Sequence, residues 1–150
     1  MRESKFRGKR IDNGEWVYGG FHKHLKVTPS PTGAGKPREN DYAYLIIESG
    51  FSDWEMPRPI EAHEVIPETV GEFTGLLDKN GVEVYDDDIY RNLDTNLIGK
   101  LTVGIGVGGI YVLCTEYKDG HIYNNLPFAE LDTTSFEVIG NIHDNPELLP

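Results

Sequence analysis

An internal disulfide is excluded by count, because Cys114 is the only cysteine among 150 residues. No staple is needed at this length: a single domain of this size buries roughly 68–70% of the surface its unfolded chain would expose. No apolar run approaches the roughly 18 residues that a membrane-spanning helix requires. The basic start, MRESKFRGKR, is not followed by the apolar stretch of a secretory signal. Basic side chains are the minority, 14 against 25 acidic, for a net charge of −11. Such a balance favours solubility and disfavours nonspecific binding to phosphate backbones. The expectation is a soluble intracellular protein with no membrane partner.

The sequence has glycine, proline and aromatics in quantity: 17 Gly, 9 Pro and 11% Phe, Trp and Tyr. That mixture suits many short strands joined by tight turns, and it is too aromatic for low-complexity disorder. The stretch from Thr69 to Tyr90, TVGEFTGLLDKNGVEVYDDDIY, is the most informative. Its β-prone runs are Val70 to Phe73, Val82 to Tyr85 and Ile89 to Tyr90, with Thr74-Gly75 and Asp78-Lys79-Asn80-Gly81 between them. Asn80-Gly81 is a tight-turn signal, since both residues tolerate φ > 0. Asp12-Asn13-Gly14 and Lys118-Asp119-Gly120 predict further hairpins, and Gly108-Gly109 a further turn.

Strands are predicted over Phe6 to Ile11, Glu15 to Val27, Tyr42 to Glu48, Leu101 to Val107, Ile110 to Tyr117, His121 to Tyr123 and Phe136 to Ile142. In the second of these, Trp16 and Tyr18 share one face while Val17 and Phe21 share the other, and Gly19-Gly20 permits a bulge or sharp bend. Thr28 to Asp41 reads as a long mobile loop, Gly50 to Pro59 as an irregular connection and Pro59 to Pro67 as a module boundary. One helical turn is expected at the end, with Asp144 or Asn145 as N-cap and Pro146 at the first helical position.

No complete catalytic or metal motif is present. Gly104 to Gly109 matches G-x-G-x-x-G, but a dinucleotide site needs a helix after those glycines, and β-prone Ile110-Tyr111-Val112-Leu113 follows instead. Counted as a calcium loop from Asp78, position 5 is Val82, position 6 is Glu83 and position 12 is Ile89, so that motif fails. Asp86 and Asp88 can converge on one strand face as Mg²⁺ ligands, although turn carboxylates binding local backbone explain them better. His22 and His24 share a strand face, but a third metal ligand would have to come from His63, His121, His143 or a carboxylate. Cys114 lies in an apolar run with acidic neighbours Glu116 and Asp119, which reads as a buried, inert thiol.

Three blocks resemble the YopX family of small proteins from bacteriophages and prophages. They are Lys5-Phe6-Arg7-Gly8-Lys9-Arg10 with Glu15-Trp16-Val17-Tyr18-Gly19, then Val65 through Asp88-Ile89, then Phe136 through Leu149. The chain departs from the family pattern at Asp86-Asp87-Asp88, where Asp87 stands in place of a turn glycine. The resemblance implies an all-β, mainly antiparallel fold with an SH3-like small barrel in the C-terminal part and self-association. It implies a bacterial host, and it supplies neither enzyme activity nor cofactor.

Two modules are expected: residues 1–66 with a flexible loop at 28–41, and residues 67–150 holding the barrel, unless the two form one continuous domain. The expected function is that of a phage- or prophage-derived accessory protein, a non-enzymatic, self-associating protein-interaction module in the bacterial cytoplasm with a host or phage protein partner. The expected interaction surface is Arg7, Lys9, Arg10, Trp16, Tyr18 and Trp54, while Tyr42, Tyr44 and Phe51 can equally be core. The alternative is a nucleic-acid-binding small barrel using the Lys5 to Lys26 cations, or an acidic DNA mimic that binds a host protein; the net charge argues against nucleic acid.

Overall fold

A computed structural model describes residues 4–28, 35–106, 109–127 and 132–150. The fold is all-β and antiparallel in every ladder described below, as expected, and the chain divides into two compact units, Met1–Val70 and Gly71–Pro150. Residues 29–34 of the expected 28–41 loop lie outside the described residues. So do 107–108, which hold part of the expected turn at Gly108-Gly109.

The first unit holds β1 (Phe6–Lys9), β2 (Trp16–Leu25), β3 (Tyr42–Ser49) and β4 (Ile60–Glu64). The first half of β2 pairs with β1, Phe6 opposite Gly19, and the second half pairs with β3, Gly20 opposite Ile47. Gly19 marks the change of partner, because a side chain there would occupy the place of the Ile47 carbonyl oxygen. Neither ladder shows a register shift at this point, so Gly19 supplies a close approach and there is no bulge. The sheet curls until Arg10 bridges Val65, with Ile66 N–H donating to Lys9 O at 2.8 Å and Ile11 N–H to Glu64 O at 3.1 Å. This single bridge staples one corner. The core is Val17, Ile46 and Val65, packed by Phe6, Phe21, Tyr44 and Val70, as the predicted Val17/Phe21 face requires.

Strand β4 falls in the segment expected to be a boundary. Its sequence, Ile-Glu-Ala-His-Glu, has little β-branched or aromatic content, because an edge strand is tolerated with charges where a central one is not. The end of the loop expected at 28–41 is ordered as a 3-10 turn, Glu39–Asp41, whose Asp41 carboxylate accepts from Arg38 N–H at 2.7 Å.

The second unit holds β5 (Gly71–Leu77), β6 (Glu83–Tyr85), β7 (Asp88–Asn92), β8 (Ile98–Gly106), β9 (Gly109–Lys118), β10 (His121–Pro127) and β11 (Phe136–Asn141). Five of these form a sheet in the order β10-β9-β8-β7-β11, and β5 pairs with β6. The five-stranded sheet has two distinct ends, β10 and β11, and no ladder joins them among the described residues. The SH3-like barrel implied for this part is therefore not a closed one. Val84, Tyr90, Leu101, Cys114 and Phe136 form its core, with the Tyr90 and Phe136 rings edge-on at 5.8 Å.

Carboxylates organise the turns. Asp78 accepts from Asn80 and Val82 N–H through Oδ1 and from Val138 N–H through Oδ2, so one buried side chain shapes the β5–β6 turn and ties it to β11. Gly81 takes φ +79°, while Asn80 does not need a positive φ because Asp78 supplies the acceptor. Asp119 and Gly120, at φ +51° and +80°, form the two-residue hairpin turn predicted there. Asp87 adopts φ +67°, so the aspartate that replaces the family's glycine keeps the left-handed geometry, and Lys100 meets its carboxylate at 2.8 Å. Asp86 Oδ1 accepts from both Val103 N–H (2.8 Å) and Asp87 N–H (3.0 Å). The final 3-10 turn, Pro146–Leu148, begins after Asn145 as predicted.

Two glycines allow a comparison of overpacking. A Cβ at Gly99 would overlap the fully buried Tyr90 ring, whereas one at Gly104 would meet the half-exposed ring of Tyr111. Gly99→Ala is expected to destabilise the fold by about 1–3 kcal/mol, and Gly104→Ala by less than about 1 kcal/mol because Tyr111 can swing into solvent; urea midpoints check the order.

Desolvation, then the neighbouring Asp87 charge, holds the Asp86 carboxyl above its ordinary value, against the opposing Val103 and Asp87 N–H bonds. The native state therefore binds this proton more readily than the unfolded chain does. Stability falls as pH rises through the interval between the unfolded and folded values, and the penalty persists at neutral pH. Asp86→Asn keeps an Oδ1 acceptor for both N–H groups. It is expected to raise the urea midpoint at pH 7, with the advantage fading as the pH falls through the carboxylate range.

Candidate functional site

Register decides which of the predicted interaction residues meet. Arg7 lies opposite Tyr18 and Lys9 opposite Trp16, so these four share one face of the β1–β2 hairpin. The Arg7 guanidinium lies 4.8 Å from the Trp16 ring centroid and the Lys9 ammonium 5.8 Å from it, both in the range of cation–π attraction. Arg7 is only 7% exposed, so it serves packing rather than open contact, while Tyr18 is exposed. Arg10 is apart from this face, its guanidinium held by both carboxylate oxygens of Asp12.

Trp54 lies elsewhere in the first unit, on the connection between β3 and β4. Gly50 N–H donates to Pro59 O at 2.8 Å and closes the base of this connection. Inside it, Met56 N–H donates to Asp53 O at 3.2 Å, Ser52 Oγ to Met56 O at 3.1 Å, and Glu55 takes φ +62°. The loop thus has its own hydrogen bonds, yet its large apolar side chains face outward: Phe51 is 86% exposed, Trp54 96%, Met56 64% and the adjoining Ile60 80%. An open hollow of about 470 Å³ lies among Phe51, Trp54, Met56 and Arg58.

Phe51, expected as possible core, belongs to this surface, and neither Met56 nor Ile60 was picked out by sequence. The available signal was an aromatic and methionine group in a segment with Pro57 and Pro59, where no strand alternation could bury it. Tyr42 and Tyr44 are half-buried beneath the Lys23 ammonium, at 4.5 and 5.2 Å, and Glu39 binds that ammonium at 2.9 Å.

The candidate chemical groups are dispersed. Asp86 and Asp88 do not act together: Asp88 Oδ2 accepts from Tyr85 N–H at 2.8 Å inside the core, while Asp86 faces Val103 N–H. His22 and His24 share a face as predicted, with ring centroids 6.0 Å apart, and both are exposed. His63 lies on the opposite face, since it stands across from Ile46 whereas His22 stands across from Leu45. It is 2.8 Å from Glu48 Oε1 and 3.7 Å from Glu61 Oε2 instead.

The Cys114 thiol is fully buried, and desolvation pushes it up to about 12, so it is neither accessible nor ionised at neutral pH. Glu116, also buried, accepts from Asn92 and Asn124 side-chain N–H groups at 2.9 Å each. Gly104 and Gly106 lie in β8 and Gly109 starts β9, so a strand follows the glycine motif where a dinucleotide site would need a helix. No helix among the described residues is long and apolar enough to cross a membrane.

The model of a family described as YopX protein matches residues 5–150, and the chain belongs to the YopX family. No curated protein matches the sequence.

Proposed function

Proceeding from membership of the YopX family, we propose that this chain is a non-enzymatic interaction module of phage or prophage origin that self-associates in the bacterial cytoplasm. Its contact surface is the β3–β4 connection together with the adjoining edge strand β4. The observation that carries this reading is the outward group of Phe51, Trp54 and Met56 on a hydrogen-bonded loop, with exposed Ile60 at the start of β4 beside them. Contiguous exposed apolar surface on a folded chain is characteristic of interaction sites, and Trp, Phe and Met are enriched in interface centres. Ile60 opens β4, so a partner seated on the loop would also reach that strand's edge.

The occupant in this reading is a second copy, whose apolar contact must outweigh the repulsion between two chains that each carry a net charge of −11. Nucleic acid is the less supported partner. Arg7 is buried over Trp16, Arg10 is held by Asp12 and Lys23 by Glu39, which takes three cations of the N-terminal cluster away from phosphate.

Size-exclusion chromatography with light scattering tests this reading. The chain is expected to be dimeric or larger at high micromolar concentration. The pair Phe51→Ser and Trp54→Ser should weaken association at least about tenfold, or about 1.4 kcal/mol. Both side chains are exposed, so the circular dichroism spectrum should not change. A monomeric wild type, or an oligomer indifferent to the pair, would refute the proposal.

A further inference from the structure

Strands β3 and β4 bring together three side chains whose chemistry the self-association reading does not use. Their register sets Glu48 directly opposite Glu61 and Ile46 opposite His63. Because strand side chains alternate, Glu48, Glu61 and His63 occupy the same face, with His63 beside buried Ile46. Like charges directly opposite one another destabilise an antiparallel pair, so a ladder built this way gains from a cation between them.

The geometry points to a binding site for one divalent transition ion of the Zn²⁺ type, ligated by Glu48, Glu61 and His63. One ligand atom from each residue lies within 4.8 Å of the other two. The separations from His63 Nε2, 2.8 Å to Glu48 Oε1 (a hydrogen bond without the ion) and 3.7 Å to Glu61 Oε2, straddle the ~3.4 Å expected between ligands of a tetrahedral zinc with bonds of about 2.0–2.2 Å. His63 is anchored, its side chain only 15% exposed, whereas the two carboxylates reach solvent and leave an entry path. Gly50 borders the site from the neighbouring connection: a Cβ there would come within 2.4 Å of Glu61 Oε1 and crowd that carboxylate where it now stands.

The donor set selects the ion class. Calcium takes 6–8 oxygen ligands and magnesium a near-octahedral shell, and neither favours imidazole. Two carboxylates and one imidazole suit zinc and its neighbours, with the fourth position left to water. The ion's two positive charges match the two opposed carboxylates. Arg10, which senses the Glu48 charge, is no substitute, because its guanidinium is engaged by Asp12.

The test uses untagged, chelator-treated full-length protein, with Zn²⁺ followed by calorimetry and Co²⁺ by its visible absorption. One ion per chain should bind saturably at micromolar concentration or below. Glu48→Gln and His63→Gln should each weaken binding at least about tenfold, while the double change His22→Asn with His24→Asn leaves it unaltered. Should His63→Gln fail to fold, imidazole nitrogen resonances of the wild type decide, since Zn²⁺ should shift His63 before His22 or His24. Absence of saturable binding below ~100 µM overturns the site. So does binding that survives Glu48→Gln or follows His22 and His24. A bridging proton on His63 would then account for the cluster. Phe51→Ser with Trp54→Ser leaves all three ligands in place, so metal binding by that variant separates failure of this site from failure of the self-association reading.

Discussion

Short strands leave many backbone N–H groups outside any ladder, and each must find an acceptor or bear the cost of burial without one. In this chain carboxylates meet much of that demand. Asp78 accepts from three backbone N–H groups across two elements, Asp86 from two, and Asp41, Asp88 and Asp132 from one each. The turns that define the second unit depend on these bonds, most directly the one in which Asp78 joins the β5–β6 turn to β11. Asp86 shows the cost, since its burial holds its proton more tightly than an unfolded chain would.

The same economy limits chemistry. A carboxylate fixed by backbone amides in a tight turn is poorly placed to act as a general acid or base, which describes Asp86 and Asp88, whereas Asp87 between them pairs with Lys100. The buried thiol of Cys114 and the amide-bound carboxylate of Glu116 follow the same pattern. The proposed contacts lie in the first unit's β3–β4 hairpin. There a loop exposes apolar side chains, and two glutamates and a histidine meet across an antiparallel ladder. The hairpin is positioned by the change of partner within β2, where Gly19 admits the Ile47 carbonyl and lets one strand serve two neighbours.

Much of the architecture was legible because turn chemistry is local. Asp119-Gly120 and Asn145-Pro146 announced their conformations through residues adjacent in sequence. Alternation in Trp16-Val17-Tyr18 predicted the two faces of β2, and the core on the Val17 side follows it. Strand β4 was not legible, since its charges are compatible with an edge and carry no periodic apolar signal. Of the outward apolar group at Phe51 to Ile60 only Trp54 was anticipated, for the opposite reason: aromatic content is as consistent with a core as with a contact surface, and only exposure separates the two.

Local residue order thus determined the β class, most reversals, the buried thiol and the failure of the glycine motif to form a cofactor cradle. Tertiary structure alone decided that the second unit's five-stranded sheet stays open, that His63 turns away from His22 and His24, and that Glu48 faces Glu61. The physical reason is register. A one-residue slip between β3 and β4 would send Glu61 and His63 together to the face opposite Glu48, and nothing within either strand states which pairing wins. That choice is made by the Ile46 and Val65 side chains seeking one common core.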